Sequence, residues 1–158
     1  MRRSKLDKID RKILRDLQHD GRMSNVDLAK SAGVSAPPCL RRVRVLESSG
    51  YIKGYHAKVD AAALGYSVVV FALVKLTSQA EKDLLAFEKR IGELEMVREC
   101  HMLAGETDFI LKIVAKDWDS YQNFLTHELT TAPNVTSVKS SLAIRSSKDV
   151  PGVPIDEA

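Results

Sequence analysis

Arg41, Arg42 and Arg44 follow a serine and two prolines in the run Ser35-Ala36-Pro37-Pro38-Cys39-Leu40-Arg41-Arg42-Val43-Arg44-Val45-Leu46-Glu47. A guanidinium forks onto guanine O6 and N7 or onto phosphate oxygens, so this run carries chemistry suited to a nucleic acid. The prolines fix where a helix starts. Their missing N–H groups cost little in a first turn and would break a helix interior. Ser35 is the expected N-cap, and a hydroxyl at a helix N-terminus is also placed to meet a phosphate. Stepping about 100° per residue turns Ala36, Cys39, Leu40, Val43 and Leu46 inward. Pro37, Pro38, Arg41, Arg44 and Val45 then face outward, with Arg42 at the flank. Arg41 and Arg44 are the candidates for base contacts, and Arg42 and Arg22 for phosphate. The competing reading is that an exposed arginine pairs with a nearby acid.

A second group of residues suits a small zwitterion. Gly105-Glu106-Thr107-Asp108 reads as a tight turn. Backbone N–H groups at such a turn can hold a carboxylate while Asp108 meets an ammonium. The alternative is that Asp108 only satisfies the turn itself. Hydroxyls at Thr136 and Ser137 are candidates to complete this pocket. Cys100 and His101 invite a catalytic reading, but neighbours on a strand point to opposite faces and cannot form a nucleophile–base pair. His19, His56 and His127 are scattered, and Cys39 and Cys100 set up neither a disulfide framework nor zinc spacing. No catalytic or metal site is expected.

The elements that hold these residues follow from periodicity. Leu6, Ile9, Ile13, Leu14 and Leu17 form one helical stripe with Asp7 as N-cap and Gly21 as stop. Ser24-Asn25-Val26-Asp27 has the form of a capping box and opens a short helix ending at Gly33, a residue that accepts a left-handed backbone. The arginine-bearing helix comes next. Two helices joined by a short glycine turn, the second with an apolar back and a basic front, make a helix-turn-helix that can enter a major groove. A bundle with exposed arginines is the plainer alternative. Residues 51–59 alternate as a strand would and read as a wing, a linker or both.

Beyond residue 65 the period changes. Strands are expected over 66–76, 95–104, 109–115 and 135–144, with helices over 80–91 and 117–129. The order β-α-β-β-α-β is the ferredoxin-like arrangement, with both helices on one face of an antiparallel sheet. The fold class is therefore α+β: a winged-helix-like DNA-binding domain over 6–50, a linking strand or hinge over 51–65, a ferredoxin-like domain over 66–145 and a flexible tail over 146–158. The first strand is apolar on both sides, with Val68, Val70, Ala72 and Val74 on one face and Val69, Phe71 and Leu73 on the other. Helices cover one face only. The second is expected to pack on another copy of the chain, or else under the N-terminal domain or its linker. A dimer suits a helix-turn-helix, because two reading helices address two half-sites. The tail is expected to be mobile or to lie across a neighbour.

Composition agrees. Hydrophobic residues make up 44% of the 158-residue chain, enough for a packed core. Residues 1–60 hold fourteen Lys/Arg against seven Asp/Glu, and the remainder ten against fourteen, so the halves carry +7 and −4. The first part is built to meet a polyanion. No apolar run approaches the roughly 18 residues of a membrane span, and no signal core follows the basic start Met1-Arg2-Arg3-Ser4-Lys5. A cytoplasmic protein with no membrane partner is expected.

Five motifs carry a resemblance: Leu6-Asp7-Lys8-Ile9-Asp10-Arg11-Lys12-Ile13-Leu14, Asp20-Gly21-Arg22-Met23-Ser24-Asn25-Val26-Asp27-Leu28-Ala29, Cys39-Leu40-Arg41-Arg42-Val43, residues 46–55, and Gly105-Glu106-Thr107-Asp108-Phe109. With them the chain resembles the Lrp/AsnC (feast/famine) family of bacterial and archaeal transcription regulators, from Leu6 to about Ile144. Glu99-Cys100-His101 before the glycine turn is similar to the leucine-responsive branch. The resemblance implies a helix-turn-helix over 25–44 that contacts double-stranded DNA through Arg22, Ser24, Asn25, Ser35, Pro37, Pro38, Arg41, Arg42 and Arg44. It also implies dimers that assemble into octamers or similar rings and a nucleoid-associated, cytoplasmic protein. No cofactor is implied. The effector so implied is an amino acid, leucine or another, expected between neighbouring dimers with Leu103, Gly105, Thr107, Asp108, Thr136 and Ser137 as the candidates to hold it. Ala36 and Val45 depart from common family residues, so the operator does not carry over. The expected function is an amino-acid-responsive, sequence-specific transcription regulator. The competing readings are a tetrapyrrole decarboxylase subunit on the same two-domain plan and a protein that compacts DNA without sequence preference.

Overall fold

The computed structural model describes residues 5–156, so residues 1–4 of the basic start lie outside the described residues. The chain divides into two compact units. One holds the residues up to Lys58 together with those from Lys148 onward, and the other runs from Val59 to Ser147.

The first unit is built on three helices, α1 (Lys8–His19), α2 (Asn25–Ala32) and α3 (Ala36–Ser48). Each start has a local cause. Asp7 caps α1 in a full capping box with Asp10. Ser24 caps α2, its hydroxyl accepting from the Asp27 N–H at 3.2 Å. Gly33 ends α2 at φ 70°, in the left-handed region, and lets the Val34 N–H reach the Ala29 carbonyl at 3.0 Å. Ile13, Leu28, Ala29, Cys39 and Leu46 form the buried centre, so the inward stripes read from the sequence meet one another.

Leu40 is a correction. It was expected inward but is 39% exposed. On the helical wheel it sits three residues after Pro37 and four before Arg44, on the edge of the outward face rather than on the Cys39–Val43–Leu46 seam.

The expected linking strand also differs. Residues 52–60 join no ladder, and residues 61–65 form a turn. A strand needs a paired neighbour, and no described segment lies beside this one as a partner strand. The Tyr55 hydroxyl instead donates to Glu47 of α3 at 2.9 Å.

The second unit carries β1 (Val68–Leu76), α4 (Glu81–Gly92), β2 (Val97–Met102), β3 (Phe109–Ala115), α5 (Trp118–Phe124) and β4 (Val135–Leu142). The sheet is antiparallel in the order β2-β3-β1-β4. This is the ferredoxin-like plan. The helix expected over 117–129 starts at its Asp117 cap but changes at Leu125 into a π-helical turn, Leu125–Leu129. The Thr130 N–H then reaches back five residues to the Leu125 carbonyl, and Leu129 stays buried. Phe87 and Ile91 of α4 and Tyr121 and Phe124 of α5 pack on Val70, Ala72 and Val74 of β1 and Phe109 and Leu111 of β3. The Phe87 and Phe109 rings lie 4.7 Å apart.

Among the described residues, neither helix of this unit packs on the other sheet face. Strand alternation and register place Val69, Phe71, Leu73 and Lys75 of β1 there beside Ile110, Lys112 and Val114 of β3. Phe71 is 38% exposed.

Candidate DNA-reading helix and effector pocket

The first turn of α3 has an unusual chemistry at its cap. Ser35 has the extended backbone of an N-cap (φ −79°, ψ 160°), yet its side chain makes no capping hydrogen bond. The reason is in the sequence. A cap hydroxyl accepts from the N–H two or three residues on, and here those residues are Pro37 and Pro38, which have none. The Ser35 hydroxyl is exposed and is not consumed by its own helix. Arg41 and Arg44 follow on the same side, exposed and without an ion pair among the described residues. Pro37, Leu40, Arg41 and Arg44 fall at i, i+3, i+4 and i+7, one face of a helix. Leu40 is a member of this face that the sequence reading missed, because its apolar side chain was assigned to the inward stripe; its i+3 and i−4 spacing to Pro37 and Arg44 was the available signal. An apolar side chain beside arginines offers a thymine methyl a contact that arginine cannot.

Three of the other candidates, Arg42, Asn25 and Ser24, are spent on scaffolding. Arg42 is tied through Nη1 to Asp7 at 2.8 Å and to Asp10 at 2.7 Å, so it clamps α3 onto the capping box of α1. Asn25 donates from Nδ2 to the Ala36 carbonyl at 2.9 Å, joining the starts of α2 and α3. Ser24 is occupied with Asp27. Arg22 lies exposed in the turn before α2, its backbone N–H held by Asp20 at 2.8 Å.

The clamp has a pH signature. The Asp10 N–H, and after it the Arg42 guanidinium, hold the Asp7 carboxyl below its ordinary value of 3.8. A lowered folded-state value stabilises above the unfolded value and is lost as pH falls through the folded one. Arg42→Ala should therefore destabilise the first unit at pH 7 by up to about 1 kcal/mol, because the pair is partly exposed. The difference from wild type should shrink below about pH 4. Urea unfolding of both proteins at pH 7 and pH 3 measures it; an equal difference at both values would show that the clamp is not ionic.

The six effector candidates do not form one cluster. Leu103, Gly105 and Asp108 line a recess of about 260 Å³ with Gln79, Leu84 and Met102. Thr107 and Ser137 line a different cleft, of about 450 Å³, with Leu73, Lys75, Glu106 and Lys139. Thr136 lines neither and sits where the β1–β4 register shifts. Asp108 is only 5% exposed. Its two oxygens accept from the Leu76 N–H and the Gln79 side-chain amide, each at 2.7 Å. The carboxylate thus pins the turn to the end of β1. Lys75 and Lys139 were not singled out in the sequence, because they become neighbours only through the β1–β4 pairing, in which Leu73 faces Lys139 and Lys75 faces Ser137, and Glu106 was read only as part of the turn.

The Cys100–His101 pair is split as expected. Cys100 is opposite Leu111 and His101 opposite Ile110, on alternate faces of the sheet. His101 lies 3.4 Å from Glu99, which Lys112 also pairs at 2.8 Å.

Comparison with known proteins agrees with this division of labour. Residues 6–53 match a winged helix-turn-helix DNA-binding family, and residues 69–153 match the Lrp/AsnC ligand-binding domain family. The chain is 50% identical over 153 residues to a leucine-responsive regulatory protein of Rhizobium meliloti, covering 97% of this chain and 98% of that one. It is 45% identical to the Bkd operon transcriptional regulator of Pseudomonas aeruginosa, covering 90% and 94%. Among solved structures, a transcriptional regulator of Neisseria meningitidis in complex with L-Met superposes with a TM-score of 0.91 at 30% identity, covering 96% and 98%. Helix-turn-helix, ferredoxin-like sheet and near-full-length identity lead to one conclusion: the chain belongs to the Lrp/AsnC family of transcriptional regulators.

Proposed function

We propose that this protein reads a specific double-stranded DNA site through the face Pro37, Leu40, Arg41 and Arg44 of α3, with the Ser35 hydroxyl and Arg22 on phosphates. Arg42, Asn25 and Ser24 act one step behind, holding that face in position. The observation that carries the reading is the contrast among the arginines: Arg42 is consumed by Asp7 and Asp10, while Arg41 and Arg44 are left exposed on one side. A tetrapyrrole decarboxylase on this plan would have no use for a basic reading face, so the protein regulates and does not catalyse. Its place is the cytoplasm, on the nucleoid. Binding that falls with one sequence change in the site separates it from a DNA-compacting protein, whose affinity would be equal on all sequences.

The second unit, in this reading, binds an amino acid. The cleft beside the 105–108 turn offers ammonium groups of Lys75 and Lys139 for an α-carboxylate, the Glu106 carboxylate for an α-ammonium, hydroxyls of Thr107 and Ser137, and the side chain of Leu73 for an aliphatic portion. This is the complement of a zwitterion with an apolar side chain. The names of the relatives, leucine-responsive and L-Met-bound, support leucine or methionine. Leu103, Gly105 and Asp108 shape the turn from the other side, and Thr136 holds the strand irregularity at its edge. Calorimetric titration of L-Leu and L-Met tests this. Lys75→Ala should weaken binding about tenfold, the loss of one charge-assisted hydrogen bond. Asp108→Ala should instead cost about 1–3 kcal/mol of stability, since it orphans the buried Leu76 N–H. Unchanged affinity in Lys75→Ala would remove this cleft from consideration.

The uncovered sheet face pairs two copies in this proposal, and dimers then build the family's larger rings.

A further inference from the structure

The C-terminal tail, expected to be mobile or to lie across a neighbour, belongs with the first unit. Beyond β4 the chain reaches α1. There the Gln18 side-chain amide holds the backbone of Val153 from both sides: Nε2 donates to the Val153 carbonyl at 2.8 Å, and Oε1 accepts from the Val153 N–H at 3.0 Å. Arg15 donates to the Ile155 carbonyl at 3.4 Å. Lys58 donates to the Asp149 carbonyl at 3.0 Å and pairs with the Asp149 carboxylate at 2.8 Å. The tail closes a groove of about 410 Å³ whose apolar wall includes Leu14, Leu17 and Ile52.

Two independent features show that the sequence is suited to this seat. Gly152 has φ +81°, which L side chains rarely adopt, and a Cβ built on it would run into the Gln18 side-chain amide. A side chain there would strain the backbone and displace the Gln18 amide from its two hydrogen bonds to Val153. Pro151 and Pro154 flank it and stiffen the segment before it docks, which lowers the entropy lost on docking.

We propose that residues 149–156 are a strap, docked in cis on the α1 side of the DNA-binding unit. Through it that unit is joined to the sheet unit twice, once by the linker and once by the tail. A body tethered at two points has less freedom to reorient than one tethered at a single point. The strap contacts α1, whose first turn is clamped to α3 by Arg42, so it bears on the helix that seats the reading helix.

Hydrogen–deuterium exchange on the full-length protein tests the proposal. Gly152→Ala, Gln18→Ala and a chain ending at Lys148 should each speed exchange of the α1 amides around residues 14–18 by about tenfold, the loss of roughly two hydrogen bonds. A peptide of residues 148–158 added to the shortened chain should restore protection. Unchanged α1 exchange in all three variants would overturn the strap. Mixing isotopically labelled shortened chains with full-length chains reads the geometry. No rescue within mixed dimers supports docking in cis; recovery of protection in the labelled chains would mean that the tail crosses between copies and would overturn the cis assignment.

Discussion

Arg41→Ala is expected to weaken binding to the specific operator by about 1–3 kcal/mol, roughly 5- to 150-fold, and to relax preference at one base pair. On random DNA the loss should be far smaller. The asymmetry follows from where the side chain sits. Arg41 is exposed on the same side of α3 as Pro37 and Arg44. Its fork therefore has no internal partner to lose and only the DNA to gain. Arg42→Ala should give the opposite pattern, with a modest, sequence-independent loss that tracks stability, because its guanidinium is already paired with Asp7 and Asp10. Fluorescence anisotropy on specific and scrambled duplexes at two salt concentrations separates the two. If Arg41→Ala lost affinity equally on both duplexes and flattened the salt slope by about one, its role would be a phosphate contact and not base reading.

That distinction between two arginines one position apart marks the boundary of what the sequence could tell. Helix starts were legible because their causes are local: Asp7 with Asp10, Ser24 with Asp27, and two prolines after Ser35 are all within one turn. The sheet order followed from alternation and from the strand and helix succession. Pairings across the chain were not legible. The helical wheel put Arg42 at the flank, but the acids it meets lie more than thirty residues earlier, and no local pattern names them. Asp108 was read as a ligand group or as a residue satisfying its own turn, and its bonds to Leu76 and Gln79 needed the β1–β3 register to be seen. Lys75 and Lys139 were passed over for the same reason. The tail was read as mobile because it lacks periodicity. What holds it is a Gln18 side chain about 135 residues away and a single left-handed glycine.

The second large effect is expected at the uncovered sheet face. Phe71→Lys should convert the protein to monomers at micromolar concentration while leaving the fold intact. Phe71 points away from the core that Val70 and Ala72 enter; it lies opposite Lys112, with Val69, Leu73, Ile110 and Val114 around the pair. Apolar area of this kind on both sides of one strand is costly to leave in water, at about 25 cal/mol per Å². Charges flank it: Glu99 with Lys112 and His101 on the β2 side, Lys75 and Lys139 towards β4. A twofold contact sets each such patch against its own copy, so the apolar strip meets itself. A lysine at position 71 would place two ammonium groups close to the axis, each opposite Lys112, whose acid Glu99 is already paired. Analytical ultracentrifugation reads the association state, and circular dichroism checks that the sheet survives. DNA affinity should fall with dimerisation, because one reading helix then addresses one half-site where two had addressed both, and the gain from linking them is about 10²–10⁴-fold. A Phe71→Lys protein that still sedimented as a dimer would place the subunit contact elsewhere and leave the open face to the effector cleft alone.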